Sequence, residues 1–357
     1  MTLYGGRYQT DGTAANAGGM GSVEICTDGH LDRKVAIKFL LPGTEKRRIM
    51  DEIRALQRIR SKHVVQLYDV VVLAPGNQIG IVQECLPGPD LTAFWRSAAK
   101  PQQLLRVLYQ LARGLEDIHA QGIIHRDIKP NNVRYDSENI LKIFDFGLAR
   151  TDDDREARTR GPVGTRPFMA PELYACGSVR FTQAIDVYAF AVTAIMLTKP
   201  KCPAELAETP PLACDWVRAR GFATLHMPRP IASVLDRALA AKPEDRPSMR
   251  EVREAVQAHL VFDQHRALLT TQAGHVLACH KGQRTAVARN GAVGKISIHY
   301  DGAVFTVAAV EGSVYVNNVR LQVGTQLPEC CVLTINGESE RDRLFVTLDI
   351  SKPEVVL

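Results

Sequence analysis

The chain lacks the features that mark secreted and membrane-spanning proteins. Its first residues contain no apolar stretch of signal-peptide length, and the longest apolar run, Val187 to Leu197, is too short to span a bilayer. The eight cysteines are scattered and include no Cys-x-x-Cys pair, so reduced and mostly structural thiols are expected. These absences predict a cytoplasmic protein without a membrane anchor.

The composition also lacks a large excess of either positive or negative charge. A net charge of +5 over 357 residues weakly favours acidic partners and gives no indication of a nucleic-acid surface. A hydrophobic fraction of 45% and a charged fraction of 23% are typical of globular proteins, so disorder is not expected. The length allows more than one domain.

Two short segments near the middle of the chain carry a specific pattern of polar side chains. Residues 124–133 read Ile-His-Arg-Asp-Ile-Lys-Pro-Asn-Asn-Val, and residues 143–147 read Ile-Phe-Asp-Phe-Gly. The turn residues between Tyr135 and Lys142 predict a hairpin that connects the two segments. In this order and at this separation, they resemble the catalytic and metal-binding loops of eukaryotic-type (Hanks-type) protein kinases.

The resemblance implies a role for each polar residue in phosphoryl transfer from ATP. Asp127 would orient the acceptor hydroxyl and take its proton, and Lys129 would reach the transferring phosphate. Asn132 and Asp145 would bind Mg²⁺, for which Mn²⁺ could substitute, because hard oxygen ligands suit these ions. His125 is expected to pack in the interior rather than to carry protons.

A glycine-containing stretch precedes the sequence Val-Ala-Ile-Lys, which ends at Lys38. Glycine lets the backbone close over phosphate groups where a side chain would block it. By resemblance to the kinase pattern, Lys38 would contact the phosphates of ATP. The other nucleotide-binding residues expected here are Gly18, Gly21, Val23 and Ala36.

Lys38 needs a carboxylate partner, and the run from Glu45 to Arg60 supplies a candidate. Apolar residues recur there at helical spacing, at Ile49, Ile53, Leu56 and Ile59. Glu52 lies on this predicted helix and would pair with Lys38, as in the kinases. The alternative is that Glu52 is one of several exposed charges on the helix.

The segment from Ile79 to Leu86 resembles the strand and hinge that hold adenine in this family, with Glu84 and Leu86 offering backbone groups to the base. Gln83 lines the back of that pocket. Arg134 occupies a position where the family often has an aliphatic residue, and its methylene stem could pack there while its head reaches water.

Residues 148–172 resemble an activation segment with the ending typical of Ser/Thr kinases. Thr151 and Thr159 are candidate phosphorylation sites in it, and Thr165 resembles the threonine that contacts the catalytic aspartate. Further along, Asp186 resembles the aspartate that supports the catalytic loop. Arg246 resembles the arginine that pairs with the glutamate at position 172.

After Phe262, short β-rich runs alternate with Gly, Asn and Asp turns, which predicts a small all-β sandwich. Residues 311–321 resemble part of a forkhead-associated domain. Arg289 would then be the phosphate-binding arginine, and Ser297 and His299 lie near the position of that family's Ser-x-x-His motif. Glu311 departs from the pattern and would repel a phosphopeptide, so a docking or packing role remains the alternative.

Together these patterns predict an α+β chain. A bilobal kinase fold would occupy residues 1–261, with a β-rich N-lobe to about residue 86 and a helical C-lobe from residue 87, and a forkhead-associated-like sandwich would occupy residues 262–357. The predicted activity is ATP-dependent phosphorylation of Ser and Thr in protein substrates, with autophosphorylation of the activation segment. The alternative is a catalytically silent scaffold. Phosphothreonine peptides are candidate partners of the C-terminal part, and no nucleic-acid or membrane partner is expected.

Overall fold

The structure is a computed structural model that describes residues 2–18, 21–40, 46–73, 78–97, 101–151, 164–175, 181–199, 201–291, 293–336 and 343–351. The chain divides into two compact units, unit 1 (residues 1–256) and unit 2 (residues 257–356). The predicted domain boundary after residue 261 lies close to this division and stays a prediction.

Unit 1 begins with a six-stranded antiparallel sheet and one helix. In the order β1-β2-β3-β4-β6-β5 the sheet places the glycine-containing hairpin next to the strand of Lys38. The elements are β1 (Leu3–Tyr4), β2 (Tyr8–Gly18), β3 (Gly21–Asp28), β4 (Arg33–Leu40), α1 (Lys46–Arg58), β5 (Leu67–Leu73) and β6 (Gln78–Glu84).

The alternation of side chains along β4 explains how this sheet is built. Val35, Ile37 and Phe39 are buried in one apolar cluster, so Ala36 and Lys38 belong to the opposite face. Helix α1 packs Ile49 and Ile53 against Ile81 of β6. The predicted helical run is therefore confirmed, and its apolar side is the one that covers the sheet.

The remainder of unit 1 is mainly helical, and its last helix continues past residue 256 into unit 2. Two small antiparallel pairs, β7 with β10 and β8 with β9, lie among the helices. The elements are α2 (Pro101–Ala120), β7 (Ile123–Ile124), β8 (Val133–Tyr135), β9 (Leu141–Ile143), β10 (Arg150–Thr151), α3 (Ala184–Thr198), α4 (Ala204–Ala207), α5 (Ala213–Ala219), α6 (Arg229–Ala238) and α7 (Met249–Leu260). The β8–β9 pair is the hairpin that the turn residues predict.

The apolar run from Val187 to Leu197 lies in α3, where nearly every residue is buried inside the protein. Its apolar composition is that of a helix surrounded by other elements. Within the described ranges, no helix is both long and apolar enough to span a bilayer. The seven cysteines in those ranges are all free thiols, as the scattered spacing predicts.

Unit 2 contains a six-stranded sheet in the order β12-β11-β19-β18-β16-β17 and a three-stranded sheet, β13-β14-β15. Residues from both sheets contribute to one hydrophobic core. The short β-rich runs expected after Phe262 are present as strands, among them β13, β14, β15, β18 and β19. The strands are β11 (Ala267–Thr271), β12 (Val276–Cys279), β13 (Thr285–Asn290), β14 (Gly294–Tyr300), β15 (Phe305–Glu311), β16 (Val314–Val316), β17 (Val319–Arg320), β18 (Cys330–Ile335) and β19 (Leu344–Ile350).

Candidate active site

Lys38 on β4 lies at the centre of a buried cluster of charges. Its Nζ donates to Oε1 of Glu52 on α1 at 2.7 Å and to Oδ1 of Asp145 at 2.6 Å. Glu52 is almost fully buried and Lys38 is 8% exposed. The structure thus brings together one residue from the sheet, one from the helix and one from the Asp-Phe-Gly segment; the sequence predicts the contact of Lys38 with Glu52 but not that with Asp145.

Lys38 and Asp145 hold each other in the ionised state, whereas burial raises the pKa of Glu52 above its ordinary value. Burial alone would lower the pKa of Lys38, but the carboxylates of Glu52 and Asp145 outweigh it and hold that pKa above the ordinary value for lysine. Burial alone would raise the pKa of Asp145, and the ammonium group of Lys38 outweighs it and holds that pKa below the usual range. Lys38 is therefore a cation and Asp145 an anion at neutral pH.

The strand register places further candidate residues on the same face of the sheet as Lys38. Val23 on β3 lies opposite Lys38, and Ala36 on β4 lies opposite Gln83 on β6. Opposite residues in neighbouring strands point to the same side of a sheet, and residues two apart along one strand do so as well. Val23, Ala36 and Gln83 therefore flank Lys38 on the face that is turned toward Asp145.

Gly18 and Gly21 face each other across the β2–β3 hairpin. Residues 19 and 20 between them lie outside the described residues, as does Thr159. Thr151 is the last residue of β10.

A second group of polar side chains surrounds Asp127, which is 4% exposed. Its carboxylate accepts hydrogen bonds from Lys129 Nζ at 2.7 Å, Asn132 Nδ2 at 2.9 Å and Thr165 Oγ1 at 2.9 Å. Lys129 also donates to Thr165 Oγ1 at 2.7 Å. These contacts fix the direction of the Asp127 carboxylate and hold Lys129 beside it.

Asp186 on α3 holds the backbone of the loop that carries Asp127. Its carboxylate accepts from the backbone N–H groups of His125 and Arg126, each at 2.8 Å, and from His119 Nε2 at 2.9 Å. Burial alone would raise the pKa of Asp186, but the contact with His119 outweighs it and holds that pKa below its usual range. The ionised carboxylate of Asp186 thus serves as the hydrogen-bond acceptor for two backbone N–H groups of this loop. Arg126 has a φ of 69° there, in the left-handed region that few non-glycine residues adopt.

His125 has both ring nitrogens engaged. Its Nδ1 accepts from the N–H of Asp127 at 3.3 Å, and its Nε2 donates to the carbonyl of Phe144 at 3.1 Å, a tautomer assigned from these partners. The ring packs edge-on against Phe146 at 4.7 Å between centroids. These contacts support the packing role expected for this residue.

Asn132 and Asp145 are the residues predicted to bind a divalent metal, and their donor atoms fit that role. The amide nitrogen of Asn132 donates to the backbone carbonyl of Asp127 at 2.8 Å and to its carboxylate, which directs the amide oxygen away from them. Asp145 adds a partly exposed carboxylate with only Oδ1 bound to Lys38. Mg²⁺ accepts few protein oxygens and retains several waters, so two such ligands suit it.

The backbone groups of the hinge after β6 are partly engaged within the protein. The N–H of Glu84 donates to the carbonyl of Gln66 at 2.9 Å, which leaves its carbonyl as the group that could serve a base. Within the described part of the chain, the backbone groups of Leu86 make no hydrogen bond. Glu84 uses its side chain elsewhere, in an ion pair with Lys142 at 2.9 Å.

Gln83 and Arg134 add polar character near the hinge. Gln83 is 8% exposed, and no described residue accepts a hydrogen bond from its Nε2. The head of Arg134 lies 3.9 Å from Asp90 and 5.9 Å from the centre of the Phe144 ring. The head of Arg134 therefore points toward the carboxylate of Asp90, which follows the hinge. The sequence predicts instead that this head reaches water.

Two ion pairs near the site are not predicted by the motifs. Lys142 on β9 binds Glu84, and Arg150 on β10 binds Asp51 on α1. Each pair joins residues that are far apart in the sequence. No local pattern could have identified them, because each depends on how distant elements pack.

The residues of unit 2 that resemble a phosphate site lie on the three strands of the smaller sheet. Arg289 and Glu311 are both cross-strand neighbours of Lys295, and Lys295 Nζ contacts Glu311 at 2.5 Å. Arg289 and His299 are exposed, whereas Ser297 is buried. The acidic side chain of Glu311 is thus paired with Lys295, next to the basic residue Arg289.

In a comparison with known protein families, residues 16–257 match the family model of the protein kinase domain. A serine/threonine-protein kinase of Corynebacterium efficiens, drp72, is 38% identical over 197 residues, which cover 52% of this chain and 38% of that protein. A serine/threonine-protein kinase stk11 homologue of Dictyostelium discoideum is 30% identical over 206 residues, which cover 54% of this chain and 35% of that protein. A probable serine/threonine-protein kinase PknB of Bifidobacterium longum is 31% identical over 187 residues, which cover 48% of this chain and 27% of that protein. The matched region therefore spans well under half of each of these relatives.

Proposed function

Because this chain belongs to the protein kinase family, we propose that it transfers the γ-phosphate of ATP to serine and threonine hydroxyls of protein substrates. The observation that carries the proposal is the joint placement of two polar groups: Lys38 with Glu52 and Asp145, and Asp127 with Lys129 and Asn132. A catalytically silent scaffold would have no need to keep these charges buried and paired, because burying charge is costly.

In this proposal Asp127 receives the proton of the acceptor hydroxyl. Its carboxylate is held by Thr165 and Asn132, so it stays oriented before the acceptor arrives. Lys129, bonded to the same carboxylate, carries a positive charge to the oxygens of the transferred phosphate. The contact between Lys129 and Thr165 supports a Ser/Thr acceptor, since both belong to the motifs that resemble Ser/Thr kinases.

The nucleotide would lie against the face of the sheet that carries Lys38. Lys38 would bind the phosphates, Val23 and Ala36 would pack on the base, and Gly18 and Gly21 would allow the hairpin to approach the phosphates. The carbonyl of Glu84 and the backbone of Leu86 would pair with the edge of adenine.

Asn132 and Asp145 would hold Mg²⁺, and Mn²⁺ would be accepted by the same oxygens. The ion, when bound, neutralises charge on the phosphates and favours transfer. Asp145 would then interact with both the ion and Lys38, which its second carboxylate oxygen allows.

We also propose that the enzyme phosphorylates its own activation segment at Thr151 and Thr159. Arg126 lies directly before Asp127 and would pair with a phosphate there. Mapping of phosphorylated peptides by mass spectrometry tests this proposal, and an unmodified Thr151 and Thr159 in active enzyme would contradict it.

For residues 262–357 we propose a forkhead-associated-like module that binds phosphothreonine peptides weakly or not at all. The support is the placement of Glu311, which binds Lys295 beside Arg289 and adds a negative charge where a phosphate would need positive ones. A docking role for this module is the alternative that the same observation favours.

The test of the main proposal is incubation of the 357-residue chain with γ-labelled ATP and a general protein substrate, followed by phosphoamino acid analysis. We expect label on phosphoserine and phosphothreonine with Mg²⁺ or Mn²⁺, and none after chelation of the metal. Label on phosphotyrosine alone would contradict the acceptor class. Absence of label in a chain that binds ATP would favour the scaffold.

A further inference from the structure

Helix α1 carries Glu52 to Lys38, and its apolar side packs on the sheet. Ile49 and Ile53 pack with Ile81. Apolar contact is non-directional, so by itself it orients a helix less strictly than an ion pair does. The ion pair with Lys38 requires better placement than this, because Glu52 is almost fully buried and must meet Lys38 at 2.7 Å.

Asp51 precedes Glu52 on α1 and makes a directional contact of the kind that the apolar cluster lacks. Its Oδ2 accepts a hydrogen bond from Arg150 Nη1 in an ion pair. Both side chains are mostly buried, 19% exposed for Asp51 and 18% for Arg150, so solvent screens the pair less than it would at the surface. Arginine–carboxylate pairs impose direction as well as attraction.

Arg150 is itself fixed to the catalytic loop. It lies on β10, opposite Ile124 on β7, and Ile124 directly precedes His125 and the rest of the loop that holds Asp127. The Arg150–Asp51 pair therefore connects the helix of Glu52 to the strand that leads into Asp127. The Lys38–Asp145 contact separately joins β4 to the Asp-Phe-Gly segment.

We infer that Arg150 and Asp51 are positioning residues that keep α1 where Glu52 reaches Lys38. Neither would touch ATP or the acceptor, and both would act through Glu52. Loss of the pair leaves the fold and the nucleotide site intact but lets α1 move, so Lys38 no longer holds the phosphates in line with Asp127. The expected fall in rate rests on the proposed phosphotransfer, whereas the expected movement of α1 rests on the geometry alone.

The experiment compares Asp51→Asn and Arg150→Gln with the wild type. We expect kcat to fall about tenfold in both, because a small displacement of positioned groups has a large effect on rate. The KM for ATP should change by less than about threefold, since the sheet and hinge contacts remain. The matched control is Arg54→Gln, which removes an arginine that is 66% exposed and 4.0 Å from the same aspartate. Its kcat should equal that of the wild type.

Two further measurements separate positioning from general destabilisation. The charge-reversed double variant, Asp51→Arg with Arg150→Asp, should recover a large part of the lost rate. Hydrogen exchange of the α1 amides should speed up in each single variant and slow again in the double variant. A merely structural role would lower the melting temperature without recovery of kcat on charge reversal.

The outcomes distinguish this inference from the proposed function. If the wild type transfers phosphate and both single variants keep its kcat, the inference is wrong and the function stands. If the wild type transfers none, the function is wrong, and the α1 exchange still decides the inference: unchanged exchange in Asp51→Asn overturns it.

Discussion

The two units of this chain differ in what they bury. Of the sixteen buried polar or charged residues in the described ranges, fifteen belong to unit 1 and one, Ser297, belongs to unit 2. Buried charge costs several kcal/mol unless it is paired, whereas an apolar core carries no such cost. Unit 1 retains Lys38, Glu52, Asp127 and Asp186 in its interior and pairs each of them.

The comparison indicates where function can be deduced from the interior of a protein. In unit 1 several of the buried charges form the groups around Lys38 and around Asp127, and their partners define what the site can do. The core of unit 2 is made of residues such as Ile296, Leu333 and Leu348, and it accounts for the fold alone. Any activity of unit 2 must therefore lie at its surface, where single residues are weaker indicators.

The largest expected effect comes from removal of a buried charge in unit 1. Lys38→Met leaves Glu52 and Asp145 unpaired and removes the phosphate contact, so kcat should fall by about 10³-fold. The measurement is the initial rate with labelled ATP. The control is Lys34→Met, which removes an exposed lysine from the same strand. A wild-type rate for Lys38→Met would contradict the role of Lys38.

The corresponding test of unit 2 is a cavity in its apolar core. Leu333 is fully buried on β18, and Leu333→Ala should destabilise unit 2 by about 3 kcal/mol. Faster hydrogen exchange in residues 257–351 would report this, while phosphotransfer should stay within about twofold. Val332→Ala, at a neighbouring position that is 40% exposed, is the control. Equal effects of the two variants would contradict the described core.

A buried histidine in unit 1 predicts a pH dependence of stability. Burial lowers the pKa of His63 to about 4, and its Nδ1 lies 3.1 Å from the carbonyl of Leu141. Between pH 6.5 and 4 the unfolded chain binds a proton at this residue and the folded chain does not, so stability falls as the pH falls. The loss reaches up to about 3 kcal/mol near pH 4.

Denaturant unfolding of unit 1 at several pH values measures this slope. The slope should flatten in His63→Phe and persist in His299→Gln, which removes an exposed histidine. An unchanged slope in His63→Phe would show that other groups cause the pH dependence.

The smallest expected effect concerns the surface of unit 2. Arg289→Ala should change neither phosphotransfer nor the weak retention of phosphothreonine peptides by the chain, because Glu311 and Lys295 already neutralise each other beside it. Peptide binding measured by fluorescence anisotropy checks this. Tight binding by the wild type that is lost in Arg289→Ala would establish a phosphopeptide site and reverse the comparison between the units.

The sequence predicts the parts of the site that local motifs encode. The helical spacing around Ile49 and Ile53 places Glu52 on α1, and the turn residues after Tyr135 predict the β8–β9 hairpin; both are present. The Arg150–Asp51 pair could not be predicted, because it depends on β10 pairing with β7.

The same limit applies to the strands of unit 2. The sequence does not indicate β11 and β12, which are short and have weak alternation. β11 pairs with β19, some eighty residues away, as in Leu268 opposite Asp349, and β12 pairs with β11. Long-range pairing of this kind leaves no mark on the local sequence.

The central claim is that Asp127 and the groups bonded to it carry out phosphate transfer. The most direct test measures single-turnover transfer from labelled ATP by the wild type and by Asp127→Asn, with ATP affinity determined on the same preparations. We expect both proteins to bind ATP with affinities within about threefold of each other, and transfer by Asp127→Asn to be about 10³-fold slower. Transfer by Asp127→Asn at the wild-type rate would contradict the account.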